Sequence, residues 1–145
     1  MNGFRRILCP TDFSSTSSKA AAHAMTMARA FHAELVLVHV VPEMNYPLRS
    51  FGMAAVLPDM RRELHAKAGE TLRQVAASLG SDVPLRTVVA DGEVHTAILQ
   101  CSKSEGADLI VMGTHGHTGL KHAMLGSTAE RVVRLAECPV LTVRG

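Results

Sequence analysis

Asp108-Leu109-Ile110-Val111-Met112-Gly113-Thr114-His115-Gly116 carries the reading on which the fold depends. The run 109–112 has no polar alternation, as a strand buried on both faces of a sheet requires, and it ends directly in glycine. Further on, Leu125-Gly126-Ser127-Thr128-Ala129-Glu130 opens a different pattern. Ala129, Val132, Val133 and Ala136 keep helical spacing and stop before Pro139. Strand, glycine-rich turn and helix in that order form the repeating unit of an α/β sheet.

The same alternation continues in both directions. Apolar runs at Ile7–Cys9, Leu35–Val41, Leu85–Val89 and Val140–Val143 predict four more strands, with 35–41 joining 109–112 at the centre. Ser14 to Ser18 offer N-cap candidates ahead of an Ala- and Met-rich helix ending near Phe31. From Pro58 to Leu79, the side chains Met60, Leu64, Ala68, Leu72, Val75 and Leu79 keep helical spacing, with Gly80 just past the end. Val94, Ala97, Ile98 and Cys101 define a further stripe, stopped by Gly106. The expectation is one domain over 1–145, with five mainly parallel strands and helices between them. Pro42 to Leu57 shows neither period and reads as a loop, either a functional lid or an insertion anchored by a few apolar residues.

Composition narrows the function classes. With 47% hydrophobic and 19% charged residues, the chain is neither disordered nor fibrous. No Trp and a single Tyr leave the core to Val, Leu, Ile, Ala and Met, which suits parallel strands under Ala-rich helices. The net charge of +2 is spread along the chain, so no nucleic-acid-binding stripe is expected. Cys9, Cys101 and Cys138 sit in or beside apolar runs, as reduced core thiols do. No segment approaches the roughly 20 apolar residues of a membrane span, and no signal-length apolar stretch follows Met1–Arg6. A soluble, cytoplasmic protein is expected.

The chemistry concentrates between Gly113 and Ser127. Glycines at 113, 116 and 126 permit positive φ and close backbone approach, and free N–H groups at the following helix start favour an anion. Ser127-x-x-Glu130 also reads as a capping box, in which case Ser127 caps and the glycines only turn the chain. The spacing matches neither the dinucleotide fingerprint nor the Walker loop.

Gly113, Gly116, Gly126 and Ser127 do occupy the four places of Gly-x2-Gly-x9-Gly-Ser/Thr, the motif of the universal stress protein family, which the chain resembles. The likeness extends to Ile7-Leu8-Cys9-Pro10-Thr11-Asp12-Phe13-Ser14, to Leu35–Val41 with its His39-Val40, and to Cys138-Pro139-Val140-Leu141-Thr142-Val143. It covers nearly the whole chain except 42–57. The resemblance implies a doubly wound five-stranded sheet of order 3-2-1-4-5, with helices on both faces, and membership of the ATP-binding branch. It implies ATP as ligand, with Mg where the nucleotide brings it. Pro10, Thr11, Asp12 and Val40 would surround adenine and ribose. Met112, Gly113, Gly116, His117, Gly126, Ser127 and Thr128 would form the glycine loop that holds phosphates. Asp12 would act as a hydrogen-bonding partner, unless it is only an acid at a helix start. A homodimer through the C-terminal strand is also implied.

Relatives commonly carry Arg where this chain has His117, so a permanent cation becomes a group that titrates near neutrality. Affinity would then rise as pH falls, and His117→Arg would flatten that dependence. Other readings stay open. Thr114-His115-Gly116-His117 fits a nucleotidyltransferase signature, although there it follows the first strand. His115, His117 and His122, with Asp12, would make a weak metal site. A nucleotide-independent interaction protein is a third class. No Walker-type lysine or obvious general base is present in the motif, so a regulator with slow or no hydrolysis is expected rather than an efficient enzyme.

Overall fold

The computed structural model describes residues 3–43, 57–115 and 125–145. Strands and helices alternate along them: β1 (Arg6–Pro10), α1 (Ser15–Phe31), β2 (Glu34–Val41), α2 (Leu57–Leu79), β3 (Leu85–Asp91), α3 (Val94–Glu105), β4 (Leu109–Gly113), α4 (Ser127–Leu135) and β5 (Val140–Val143). The strands form one sheet in the order 3-2-1-4-5, and every pairing is parallel. Residues 44–56, most of the expected loop, lie outside the described residues.

Successive strand residues face opposite sides, and this divides the core in two. Ile7, Cys9, Leu35, Leu37, Leu109 and Val111 pack with α1 and α2, whereas Leu8, Val36, Val38, Val40, Ile110 and Met112 pack with α3 and α4. Small residues at Ala20, Ala21, Ala24 and Ala28 let α1 lie close on the sheet. Ser14 starts it, its hydroxyl accepting the Ser17 N–H at 3.2 Å, and His32 ends it with φ 55. Gly106, with φ 66, ends α3 in the same left-handed way.

Two apolar stripes are buried less than their spacing predicts. In α2 only Ala68 and Leu72 are fully buried, while Met60 and Leu64 are exposed, because its second half is the part that rests on the core. In α4 Ala129 and Val132 meet the sheet, but Val133 is 48% exposed. One residue is about 100° of helix rotation, so a short helix beside an edge strand cannot bury both valines.

Burial raises the Cys9 thiol to about 12 and, aided by Glu105, the Cys101 thiol to about 11, so both stay protonated and inert. All three cysteines are free. Among the described residues no helix is long and apolar enough to cross a membrane.

Candidate functional site

The chain leaves β1 for a helix on one face of the sheet and leaves β4 for a helix on the other. At such a switch point the carboxyl ends of neighbouring strands part and leave a crevice. Here it is a cavity of about 470 Å³. Pro10, Thr11, Asp12, Val40, Met112, Gly113, Gly126, Ser127 and Thr128 all line it. Gly116, His117 and His122 lie outside the described residues. The cavity also takes in Thr114 and His115, from the segment that fits a nucleotidyltransferase signature, and Ser17, Val38, His39, Val94 and Ile98, which the sequence places in strands or helices but not in a site. Val94 and Ile98 belong to the apolar stripe of α3, and where that helix begins the stripe forms a wall of the cavity.

Val40 holds a special place along one wall. Glu34 N–H donates to Arg5 C=O, and Thr11 N–H donates to Val38 C=O at 2.8 Å, so the even residues of β2 direct their backbone groups toward β1. The odd residues face β3, as Leu35 N–H to Pro84 C=O and Gly92 N–H to Val41 C=O show. The β1–β2 register ends at Pro10 opposite Val38. Val40 therefore presents N–H and C=O beyond the end of β1, with no backbone partner on that side among the described residues. Thr11 and Asp12 turn the chain away there. Thr11 Oγ1 accepts from Phe13 N–H at 3.1 Å, and Asp12 Oδ1 accepts from Ser14 N–H at 2.9 Å. Asp12 thus supports the entry to α1 from just outside the helix, at the cavity rim.

At the opposite end, the structure changes the reading of the glycines and of Ser127. Neither Gly113 nor Gly126 has positive φ; among the described residues the glycines that do are Gly80, Gly92 and Gly106. What Gly113 and Gly126 provide is space. A Cβ on Gly113 would lie 2.7 Å from Thr16 Cγ2, and one on Gly126 would lie 2.9 Å from the Thr114 carbonyl oxygen. The capping box does not form. Gly126 is the N-cap, with φ −61 and ψ 160, and Ser127 is already inside the helix. Gly126 N–H is drawn to Thr114 C=O at 2.7 Å, which fixes the entry one residue early, and Glu130 pairs with Arg134 instead of reaching back. The first intrahelical bond runs from Glu130 N–H to Gly126 C=O, so the N–H groups of Ser127, Thr128 and Ala129 have no intrahelical acceptor and face the cavity end of the helix dipole.

His115 adds a polar group beside them. Its Nδ1 lies 2.9 Å from Thr114 Oγ1, while its Nε2 is buried with no hydrogen-bond partner among the described residues. None of the described lining residues is Lys or Arg, so an anion here would meet helix N–H groups, hydroxyls and an imidazole. No group of three metal-ligating side chains occurs among the described residues, and His117 and His122 of the expected histidine site lie outside them. Thr114 and His115 follow β4, the fourth strand, and not the first.

Residues 3–144 match the model of the universal stress protein family. The chain is 36% identical to universal stress protein MJ0531 of Methanocaldococcus jannaschii, over 99% of this chain and 84% of that one. It is also 36% identical to universal stress protein YxiE of Bacillus subtilis, over 97% and 99% of the two chains. Among solved structures, the MJ0577 protein of Methanocaldococcus jannaschii superposes with a TM-score of 0.86 at 29% identity, covering 99% of this chain and 98% of that one. A universal stress protein crystallised in complex with cAMP superposes with a TM-score of 0.66 at 25% identity, over 98% of each chain. On these matches, which span nearly its full length, the chain belongs to the universal stress protein family.

Proposed function

We propose that this chain is a nucleotide-responsive regulator of the cytoplasm that binds an adenine nucleotide, foremost ATP with any Mg it carries, with slow or no hydrolysis. Two copies would pair through β5. The observation that carries the reading is the open Val40 edge at one end of a cavity closed at its other end by a helix N-terminus. Adenine offers an N6–H donor beside the N1 acceptor, the complement of one carbonyl beside one N–H; guanine reverses both groups. The apolar walls from Val38, Val94, Ile98 and Met112 suit the faces of a base. The N–H groups at the start of α4, with the Ser127 and Thr128 hydroxyls, suit phosphate. That a relative was crystallised with cAMP supports the adenine assignment and leaves the phosphates to decide between ATP, AMP and a cyclic nucleotide.

Calorimetric titration of the purified protein with ATP, AMP, cAMP and GTP tests the reading. Mass spectrometry of nucleotide released on denaturation would identify what is carried from the cell. The expected result is saturable binding of adenine nucleotides with GTP weaker by roughly tenfold or more, the worth of one hydrogen bond gained against one mismatched. The absence of binding by every adenine nucleotide would remove the proposal.

A further inference from the structure

Thr11 is the last residue to make a rung with β2, through its N–H to Val38 C=O. In a parallel ladder the next rung would run from Val40 N–H to Thr11 C=O. That rung is not made. Instead the Thr11 carbonyl oxygen lies 2.8 Å from Nδ1 of His39. A carbonyl can only accept, so His39 carries its proton on Nδ1 and donates it. The imidazole is held flat against Phe13, with ring centroids 4.3 Å apart and planes 20° from parallel. Phe13 adopts φ 66, a left-handed conformation that a bulky side chain seldom takes, at the residue where the chain swings away from β2. Donor, ring stack and backbone turn meet at one point, directly beside the Val40 edge.

Resting on the reading of the cavity as an adenine-nucleotide site, we propose that His39 is a positioning residue: by holding the Thr11 carbonyl it keeps the Val40 N–H open for the nucleotide base. Its side chain faces the α1–α2 side of the sheet while Val40 faces α3 and α4, so His39 sets base recognition from behind the strand. Without the donor, the Thr11 carbonyl relaxes onto Val40 N–H, the ladder gains a rung and the adenine-reading pair loses its donor half.

Two substitutions separate the parts of this brace. His39→Phe keeps a ring against Phe13 and removes the donor, whereas His39→Asn keeps an N–H donor at the same bond distance from Cβ and removes the ring. In His39→Phe, ATP affinity should fall roughly tenfold, as expected for one lost hydrogen bond, while GTP affinity changes little, so the ATP-to-GTP preference collapses. His39→Asn should keep both the affinity and the preference. Amide hydrogen exchange gives a readout that needs no nucleotide: in the parent, Val40 N–H should exchange much faster than that of Val36 or Val38, and in His39→Phe it should become protected.

A His39→Phe protein that retains ATP affinity and base preference overturns the proposal. So does one that loses ATP and GTP affinity in equal proportion, since that is general damage to the fold. If His39→Phe fails to fold, exchange in the parent decides, and a Val40 amide as protected as that of Val38 sinks the idea. A parent that binds no nucleotide removes the functional reading and the base-recognition claim together. Unchanged Val40 exchange in a variant of a nucleotide-binding parent removes only the role of His39.

Discussion

A methyl group on Gly126 would stand 2.9 Å from a backbone carbonyl oxygen that the same residue's N–H already binds, so the glycine and the path of the chain at Thr114 depend on each other. Gly126→Ala should therefore cost stability as well as binding, by about 1–3 kcal/mol in a thermal or urea melt. Ser127 behaves differently. Its hydroxyl makes no capping bond, so Ser127→Ala should leave stability within a few tenths of a kcal/mol, far from the roughly 1 kcal/mol of a lost N-cap. If the hydroxyl binds phosphate, ATP affinity should drop several-fold to about tenfold in that variant. A melt and a titration of each protein check both statements, and a Ser127→Ala protein with normal affinity would take the hydroxyl out of the site. The motif spacing marked both residues as important, but it could not say which atom mattered. Whether Ser127 caps depends on where Gly126 N–H finds its acceptor, and Thr114 C=O supplies it from just beyond the end of β4. The burial of His115 Nε2 and the His39 bond to Thr11 were illegible for the same reason, since each depends on segments meeting in space.

Strands β1, β2 and β3 start beside one another at the end of the sheet away from the cavity, and the charges at their starts form a closed set. Glu34 accepts from Arg6 Nε at 3.0 Å and from Arg86 Nε, while Arg86 also reaches Glu105 at 2.6 Å. Asp108 takes the N–H groups of Arg5 and Arg6 at 2.9 and 3.1 Å. The hydrogen bond from Arg86, followed by the charges of Arg6 and Arg86, overcomes desolvation and holds the Glu34 carboxyl below its ordinary value of 4.5. A carboxylate lowered on folding adds stability that is complete above its unfolded pKa and is lost as pH falls through the folded one. Glu34→Gln should accordingly cost on the order of 1 kcal/mol at pH 7, the scale of a partly exposed ion pair. Melts taken at successively lower pH should show the parent and variant converging below about pH 4. A constant gap down to pH 2 would mean that packing, not charge, is what the variant loses. Hydrophobic periodicity made the strands and helices readable because each has an inward face. It carried no trace of this ring, whose bonded partners are separated by 19 to 103 positions and look like ordinary solvated charges until the register Arg6–Glu34 and Val36–Arg86 brings them together.

The molecule as a whole ends its sheet on β5, and the hydrogen bonds determine which of that strand's groups face outward. Ile110 N–H donates to Pro139 C=O and Thr114 N–H to Val143 C=O, so the odd residues of β5 face β4. By the same alternation Val140 and Thr142 direct N–H and C=O away from the sheet. No charge or proline interrupts Val140–Val143, and Leu141 remains 38% exposed, so this edge lacks the usual devices that prevent pairing. The proposed homodimer sets two such edges antiparallel about a two-fold axis, which satisfies the outward groups of both copies and covers Leu141. Thr142→Pro separates this from the internal fold. It removes an outward N–H, leaving the β4 ladder, which uses the Pro139 and Val143 carbonyls, intact. Light scattering across micromolar concentrations should find a dimer for the parent and a monomer for Thr142→Pro. The cavity draws no described lining residue from β5, so the monomer should keep a cooperative melt and bind ATP as the parent does. A parent that stays monomeric defeats the pairing outright, and a Thr142→Pro protein that remains a dimer places the interface on another surface.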